Sequence, residues 1–391
     1  MVLVNMLTFT KHINREYDDQ FGRTGAKIGS VVNVRKPVRF VDAAGQGLVL
    51  QDLTETSVPL ALTTQYQRAF TVTSADLELN IDDFSKRFIR PAIASMANQI
   101  DFDGLNQYLN VFNEVGTPGT VPNSASTYLQ AGQKLDDQAT LRDGERYLVI
   151  TTQQNAIIIN ALSGLFNPQR KIGEQYDRGL MSEDTLGFNW YMDQNARIQT
   201  VGPQGGVPVI NAANQTGSAI ITNGWTAAVG VRLNQGDIVT LPGVFAVNPQ
   251  NHQSTGQLAQ WVVTATTSSD GAGNLTIPIA GPDGNGIITS GPFQNASASP
   301  TNGLGITVQG AANTSSQRGL AFHKNAFSFA CADLLLPNGV DMRERISDKQ
   351  LGLSIRIIRA YDINTDRLPL RCDLLGGWTT LYPQLACRIA S

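Results

Sequence analysis

His12, His252 and His323 are the only histidines in the chain, and none stands in a pattern that chemistry needs. A zinc site of the HExxH type sets two imidazoles one helical turn apart with a carboxylate between them. The sequence contains no such motif, and no GxSxG elbow that would hold a serine beside a base. His323 reads as the end of a strand. Cys331, Cys372 and Cys387 are odd in number and form no CxxC spacing. That argues against both a disulfide scaffold and a thiolate metal site, and the three read as small buried apolar residues. No GxGxxG follows a strand and no Walker loop occurs, so a phosphate cradle is missing. Asp101-Phe102-Asp103-Gly104 opens like a calcium loop but lacks the later ligands and the terminal Glu, and reads as a helix break. Asp270-Gly271-Ala272-Gly273 and Asp283-Gly284-Asn285-Gly286 are explained by turn chemistry. The expectation is a protein with no catalytic residue, no metal and no cofactor.

Clustered charge is the remaining candidate for function. Residues 11–40 carry seven bases against three acids, whereas 41–83 carry seven acids against Arg68 alone. Arg35, Lys36 and Arg39 on one side, and Asp52 and Glu55 on the other, are candidate contacts of an arm that docks on a neighbouring subunit. The plainer alternative is two solvated faces of a surface hairpin. Asp341 to Lys349, DMRERISDK, reads as a dense charged loop. Within it, Asp341, Arg343, Glu344 and Arg345 are candidates for ion pairs between subunits, with a solvated turn as the alternative.

These groups need elements to carry them. Val31–Val34, Val38–Val41, Val58–Leu62 and Ala69–Thr73 read as strand pieces of a long two-stranded excursion. Apolar residues recur at helical spacing from Asp82 to Asn113, which predicts one helix of about 45 Å. Asp82 and Asp83 suit its N-terminus, and Pro91 should kink it or open a second segment. Tyr128–Asp137 reads as a helix, Arg146–Ile150 as a strand, Thr151 or Thr152 as the cap of a helix through Leu162, and Phe188–Met192 as a strand. Ala326–Ala330 and the alternations through Leu353–Ile357, Cys372–Leu374 and Leu385–Ile389 predict that the chain ends in one meandering sheet.

Residues 199–317 break this pattern. They hold one base, Arg232, three acids, Asp237, Asp270 and Asp283, and no Lys, Glu, Met, Cys or Tyr. Short β-type runs at 219–221, 237–241, 260–266, 275–279 and 305–308 alternate with turn residues. This reads as a small barrel or sandwich inserted into a host domain, with its few charges in solvated turns or, as the alternative, making neighbour contacts from loop tips. Val231, Leu233, Ile238, Val239, Leu241, Val244, Phe245, Trp261 and Val263 are its candidate core. The formal net charge of -3 offers no global basic field for nucleic acid. Met1–Thr10 has no signal-peptide pattern, and no run approaches the roughly 18 apolar residues of a membrane span, so neither is expected.

The C-terminal runs AFHKNAFSFACADLLLP at 321–337 and GLSIRIIRAYDINTDRLPLRCDLLGGWTTLYPQLACRI at 352–389 resemble the closing sheet of a phage coat protein. FNWYMDQNARIQTVG at 188–202 resembles that family's lead-in to its insert, with Gln199 where a His is often seen. IDDFSKRFIRPAIASMANQID at 81–101 resembles its spine helix, and RLNQGDIVTLPGVFAVNPQ at 232–250 the start of its inserted barrel. The relatives are coat proteins like that of the short-tailed transducing phage of Salmonella. The resemblance implies an α+β chain of the Hong Kong 97 type capsid fold with an inserted all-β, barrel-like domain. It implies an N-terminal arm at 1–22, an extended E-loop hairpin at 23–76, and the spine helix of the P-domain with the first part of the A-domain at 77–198. The inserted β-domain at 199–318 and the sheet closing the A- and P-domains at 319–391 follow. The implied function is a major capsid protein that self-assembles, as pentamers and hexamers, into the icosahedral shell around phage double-stranded DNA. Implied partners are a scaffolding protein, a portal protein, DNA bound without sequence specificity, and room for a decoration protein. No membrane partner is implied. The implied place is the virion capsid, assembled in the bacterial host cytoplasm. A bacterial nanocompartment shell of the same fold is the alternative, and a secreted β-rich adhesin a more distant one.

Overall fold

The structure, a computed structural model, describes residues 7–16, 29–42, 45–47, 50–73, 84–162, 185–348 and 353–391. The Asp82–Asp83 cap, the 164–181 loop and the arm charges Arg23 and Lys27 lie outside the described residues. The chain forms two compact units, one of Met1–Lys36, Ser57–Leu105 and Phe327–Thr379, the other of Pro37–Thr56, Asn106–Ala326 and Thr380–Ser391.

In the first unit, β1 (Val31–Arg35) and β2 (Ser57–Ala61) pair antiparallel, with Val31 opposite Ala61 and Arg35 opposite Ser57. Val32 and Val34 turn inward and their neighbours outward, the period of two visible in VVNVR. The expected strand at Val38–Val41 has no regular structure. Pro37 precedes it and has no N–H to give a ladder. β3 (Thr64–Thr73) was expected as a shorter piece of the excursion. It is ten residues long and runs beside β20 (Arg367–Thr380), from Thr64 opposite Gly376 to Thr73 opposite Arg367. Around β20 the sheet order is β17 (Phe327–Ala332), β20, β19 (Leu353–Arg359), β18 (Met342–Asp348), with β3 also on β20. The expected charged loop is thus a strand. Glu344 interrupts Met342 and Ile346 on one face of β18 and the other carries Arg343, Arg345 and Ser347, so its two-residue period leaves no continuous apolar stripe to read.

The predicted single helix is three segments. A π-helical turn at Ser85–Ile89 leads into α1 (Arg90–Leu105), and a 3-10 turn, Asn106–Asn110, opens the second of the second unit's three segments. Pro91 is the second residue of α1 and lacks the N–H that would close the preceding turn, so the ladder widens ahead of it. Phe84 and Phe88 stack 5.3 Å apart and meet Phe70 of β3 at 6.1 and 5.9 Å. No helix break occurs at Asp101–Gly104. Asp101 is buried inside α1 and accepts from the N–H groups of Thr8, Phe9 and Thr10 at 2.5, 3.2 and 2.9 Å, and from the Thr10 hydroxyl. Gly104 fits because a Cβ there would lie 2.5 Å from the Trp378 ring.

In the second unit a mixed sheet has the order β4 (Glu114–Val115), β21 (Ala386–Ala390), β16 (Ser315–His323), β5 (Arg146–Ile150), β6 (Asn189–Met192). The last strand therefore leaves the expected meander. α2 (Ala125–Asp137) buries Tyr128, Ala131 and Leu135, spaced three and four apart, against Leu148, Trp190 and Ile389. α3 (Thr152–Leu162) begins with a capping box. Gln154 N–H donates to Thr151 Oγ1 at 3.0 Å, and Thr151 N–H to Gln154 Oε1 at 3.1 Å.

β7 (Ile198–Thr200) pairs with the start of β16, Thr200 opposite Ser315 and Ile198 opposite Gln317. The chain thus leaves and rejoins its host sheet at one place. Between these strands lie β8 (Gly206–Ile210), β9 (Ala219–Trp225), β10 (Gly230–Leu233), β11 (Ile238–Val247), β12 (Ser254–Val263), β13 (Thr267–Ser269), β14 (Leu275–Ala280) and β15 (Thr307–Val308). Six of them form a sheet in the order β15, β11, β12, β14, β9, β8. It closes on itself where Ile210 N–H donates to Leu304 at 2.9 Å and Ile306 N–H to Pro208 at 3.0 Å. Leu233, Val239, Leu241, Val244, Trp261 and Val263 fill the barrel as expected, and Ile238 packs outside it against Phe112. Val231 and Phe245 do not join the core, at 39% and 36% exposure. Gly243, at φ 79°, and a register shift between Thr240 and Phe245 reverse the alternation of β11, so Val244 turns in and Phe245 out.

Candidate functional site

Charges left at the surface after folding are those available to another subunit, so each charged candidate must be located first. Arg35 is exposed at the end of β1, and Asp52 and Glu55 are exposed further along. Lys36 is only 6% exposed. Arg39 is engaged within the chain: its Nη2 lies 2.6 Å from Asp283 Oδ2, and its guanidinium lies 5.5 Å from the centre of the Phe293 ring. Asp283 is not a solvated turn residue. Its side chain is nearly buried and accepts from Gln384 Nε2 at 2.8 Å. Asp270 does sit in an exposed turn and accepts from the N–H groups of Ala272 and Asn274.

On β18, Arg345 meets Asp333 at 3.1 Å and the Leu334 carbonyl at 2.6 Å, and Arg343 donates to the Pro337 carbonyl at 3.0 Å. Asp341 pairs with Arg359 at 2.6 Å. Glu344 is exposed and stands opposite Ile357 of β19. Asp373, in the same sheet, is fully buried. It accepts from Arg356 at 2.9 and 2.7 Å, from Arg371 at 2.9 Å and from Gln65 at 2.7 Å. Burial pushes its carboxyl up, but the Arg356 and Gln65 bonds and the two guanidinium charges outweigh that and hold it below the ordinary range.

A second buried network lies beneath the barrel, and none of its host residues was singled out from the sequence. Glu114 Oε2 is 3.4 Å from Arg318 Nε and 3.2 Å from Arg388 Nε, and all three side chains are buried. Arg388 also lies 5.8 Å from the Tyr108 ring centre and donates to the Gly236 carbonyl of the insert at 2.8 Å. The neighbouring Asp237 accepts from the N–H groups of Gly202 and Asn234 at 2.9 and 2.8 Å, and from Gln199 Nε2 at 3.2 Å. Burial pushes the Asp237 carboxyl up against these donors. Asp237 is thus a structural group of the insert, not a loop-tip charge. The available signal was an arginine inside an apolar alternation, as in LACRIA and QRGLAFH. Such an arginine needs a buried acid.

Gln260 of β12 completes the contact. Its Oε1 takes Glu114 N–H at 3.0 Å and its Nε2 donates to Glu114 O at 2.9 Å, so one amide fills the open edge of β4 as a strand would. Gln309 Nε2 adds a bond to Gly116 O at 3.0 Å. For metal chemistry, Asp143, Glu145 and His323 are the one group among the described residues whose ligating atoms come within 4.8 Å of one another. Lys324 Nζ already lies 2.8 Å from Glu145, and His323 Nε2 lies 3.1 Å from Asp143. Cys331, Cys372 and Cys387 are free and buried, and burial pushes the Cys372 and Cys387 thiols up to about 11 and about 12. Buried, fully protonated thiols make poor nucleophiles.

An inserted barrel, a helix backed by a five-stranded sheet and charges spent on internal pairing define a structural subunit. Comparison with known proteins agrees. The family described as P22 coat protein, gene protein 5, matches residues 3–388. The chain belongs to the P22 coat protein family. It is a major capsid protein, a structural protein that associates with itself to build a phage shell and resides in the virion capsid. This sets aside the nanocompartment and adhesin alternatives. Among solved structures, that of Mycobacterium phage Che8 is similar at 12% identity and TM-score 0.48, over 98% of this chain and 92% of the other. The capsid of cyanophage P-SCSP1u follows at 11% and 0.46, over 97% and 86%. The SrpI encapsulin of Synechococcus elongatus stands at 9% and 0.42, over 98% and 90%. No curated protein matches.

Proposed function

We propose that the chain works through its surfaces alone, without catalysis. The observation that carries this reading is the division of its charges. The deeply buried charges Glu114, Arg318, Arg388 and Asp373 are answered within the chain, whereas Arg35, Asp52 and Glu55, and Arg343, Glu344 and Arg345 of β18, are exposed. Pentamers and hexamers would form around a scaffolding protein as a procapsid in the host cytoplasm, with a portal protein at one vertex. The shell would expand as double-stranded DNA is packaged, a switch between two packings of one subunit. At a net charge of -3, DNA contact would be weak and independent of sequence. A decoration protein is a further partner the family allows.

The contacts between subunits would run through Arg35, Asp52 and Glu55 of the excursion, leaving out the buried Lys36, and through Asp341, Arg343, Glu344 and Arg345. One exposed pair contributes only about 0.2–1 kcal/mol, but the contact repeats around the lattice. Arg35→Glu should cut the assembled fraction severalfold. Arg39→Glu should instead destabilise the subunit by about 1–3 kcal/mol, because it loses Asp283. Normal assembly of the Arg35 variant, with the salt dependence of the wild type, would contradict the arm's role.

A further inference from the structure

Asn223, Asn285, Asn302 and Asn338 each stand directly before a glycine. Such a pair can react with itself. The glycine nitrogen attacks the side-chain carbonyl carbon of the asparagine, and only glycine offers that nitrogen with no side chain beside it. The fold restrains three of these pairs. Asn223 lies within β9 with its Oδ1 buried. Asn285 is half-buried, and a Cβ on the following Gly286 would lie 1.9 Å from the Gly217 carbonyl oxygen. Asn302 is exposed, but the Gly303 N–H donates to the Ile210 carbonyl at 2.8 Å.

Asn338 differs on each point. It and Gly339 are exposed in the connection between β17 and β18, outside any strand or helix. The Gly339 N–H makes no hydrogen bond among the described residues, and nothing lies within 4 Å of where its Cβ would be. The Arg343 guanidinium donates to Asn338 Oδ1 and, at 3.0 Å, to the Pro337 carbonyl. A cation is thus fixed on the oxygen that gathers negative charge as the nitrogen attacks.

We propose that Asn338 is a site of spontaneous deamidation, activated by Arg343. Gly339 N bonds to Asn338 Cγ and gives up its proton. The Cγ–Nδ2 bond breaks, and Nδ2 takes up a proton and leaves as ammonia. Water then opens the resulting five-membered imide at either carbonyl. Opening at Cγ gives aspartate. Opening at the main-chain carbonyl gives isoaspartate, whose backbone runs through Cγ and is one carbon longer. Both products add a carboxylate beside Arg343, and a guanidinium binds a carboxylate more strongly than an amide. The formal net charge of -3 gains one negative charge. An aged subunit therefore presents Arg343 with its charge answered inside the chain, on a strand that carries candidate subunit contacts. The reaction consumes water alone, so it does not depend on whether the chain builds a shell.

The test follows the purified full chain through days in a mildly alkaline buffer, which favours loss of the Gly339 proton. Trypsin releases residues 325–343 as one peptide, and fragmentation separates Asn338 from Asn325. Deamidation exchanges NH2 for OH and adds about one mass unit. Asn338 should convert at least about tenfold faster than Asn223, Asn285 and Asn302 in the folded chain. In denaturant the rates should draw together, because the advantage comes from the fold. Arg343→Ala should slow Asn338 by about threefold or more in the folded chain and leave its rate in denaturant unchanged. Similar rates at all these asparagines in the folded chain, or a faster Asn302, overturn the site. An Arg343→Ala rate equal to or above that of the wild type overturns the role of the guanidinium.

Discussion

Asp373 depends on two guanidiniums and an amide, and each depends on it. Its ordinary pKa is 3.8 and the folded state lowers it. A lowered carboxyl contributes stability that is present above 3.8 and is lost as pH falls through the folded value. Acid should therefore weaken the sheet of the first unit, and Asp373→Asn should flatten that dependence. The same variant leaves Arg356 facing a neutral group in a largely buried setting, and should cost about 3 kcal/mol at neutral pH. Chemical denaturation from pH 7 down to pH 3 measures both, and an unchanged acid limb would contradict the assignment. At this scale the sequence was a partial guide. The exposed charges of DMRERISDK and the excursion were legible as charge runs. The partners of Arg39 and Arg388 were not, because each lies far along the chain from the acid it meets.

Elements whose alternation faces one apolar core were read correctly from the sequence. β1, β5, α2, the Thr151 cap and most of the insert's strands fall where periodicity and turn residues put them. Others follow from contacts that periodicity does not encode. β3 is recruited by β20 across about 300 residues of sequence, β18 has no continuous apolar face, and β21 joins another sheet through β16. The short strand β4 is the furthest from any sequence signal, since its edge is completed by a side chain. Gln260→Ala removes both bonds to Glu114 and leaves a largely buried N–H and C=O unanswered. The expected loss is about 1–3 kcal/mol. Gln133→Ala, a change in the cleft beside the same strand, should stay within about 0.5 kcal/mol. Equal midpoints for the two variants in a denaturant titration would show that the glutamine does not brace this edge.

The whole molecule is a host with a barrel fastened into it. The incoming and outgoing strands β7 and β16 pair, so the barrel needs no help from the host to bring its ends together. Its core is its own, from Ile210 to Ile306. Residues 199–318 expressed alone should therefore unfold cooperatively with a β-type circular dichroism signal, and a disordered fragment would contradict this. Deleting them should expose Phe112, Glu114 and Arg388 of the host and give misfolded chains or aberrant shells. The account's central claim is that this subunit is the repeating unit of a closed capsid. Electron microscopy of the full chain coexpressed with its scaffolding protein tests that most directly. The account predicts closed icosahedral particles in which pentamers and hexamers of this chain are resolved. A folded monomer at every protein concentration, with scaffold present, would contradict it.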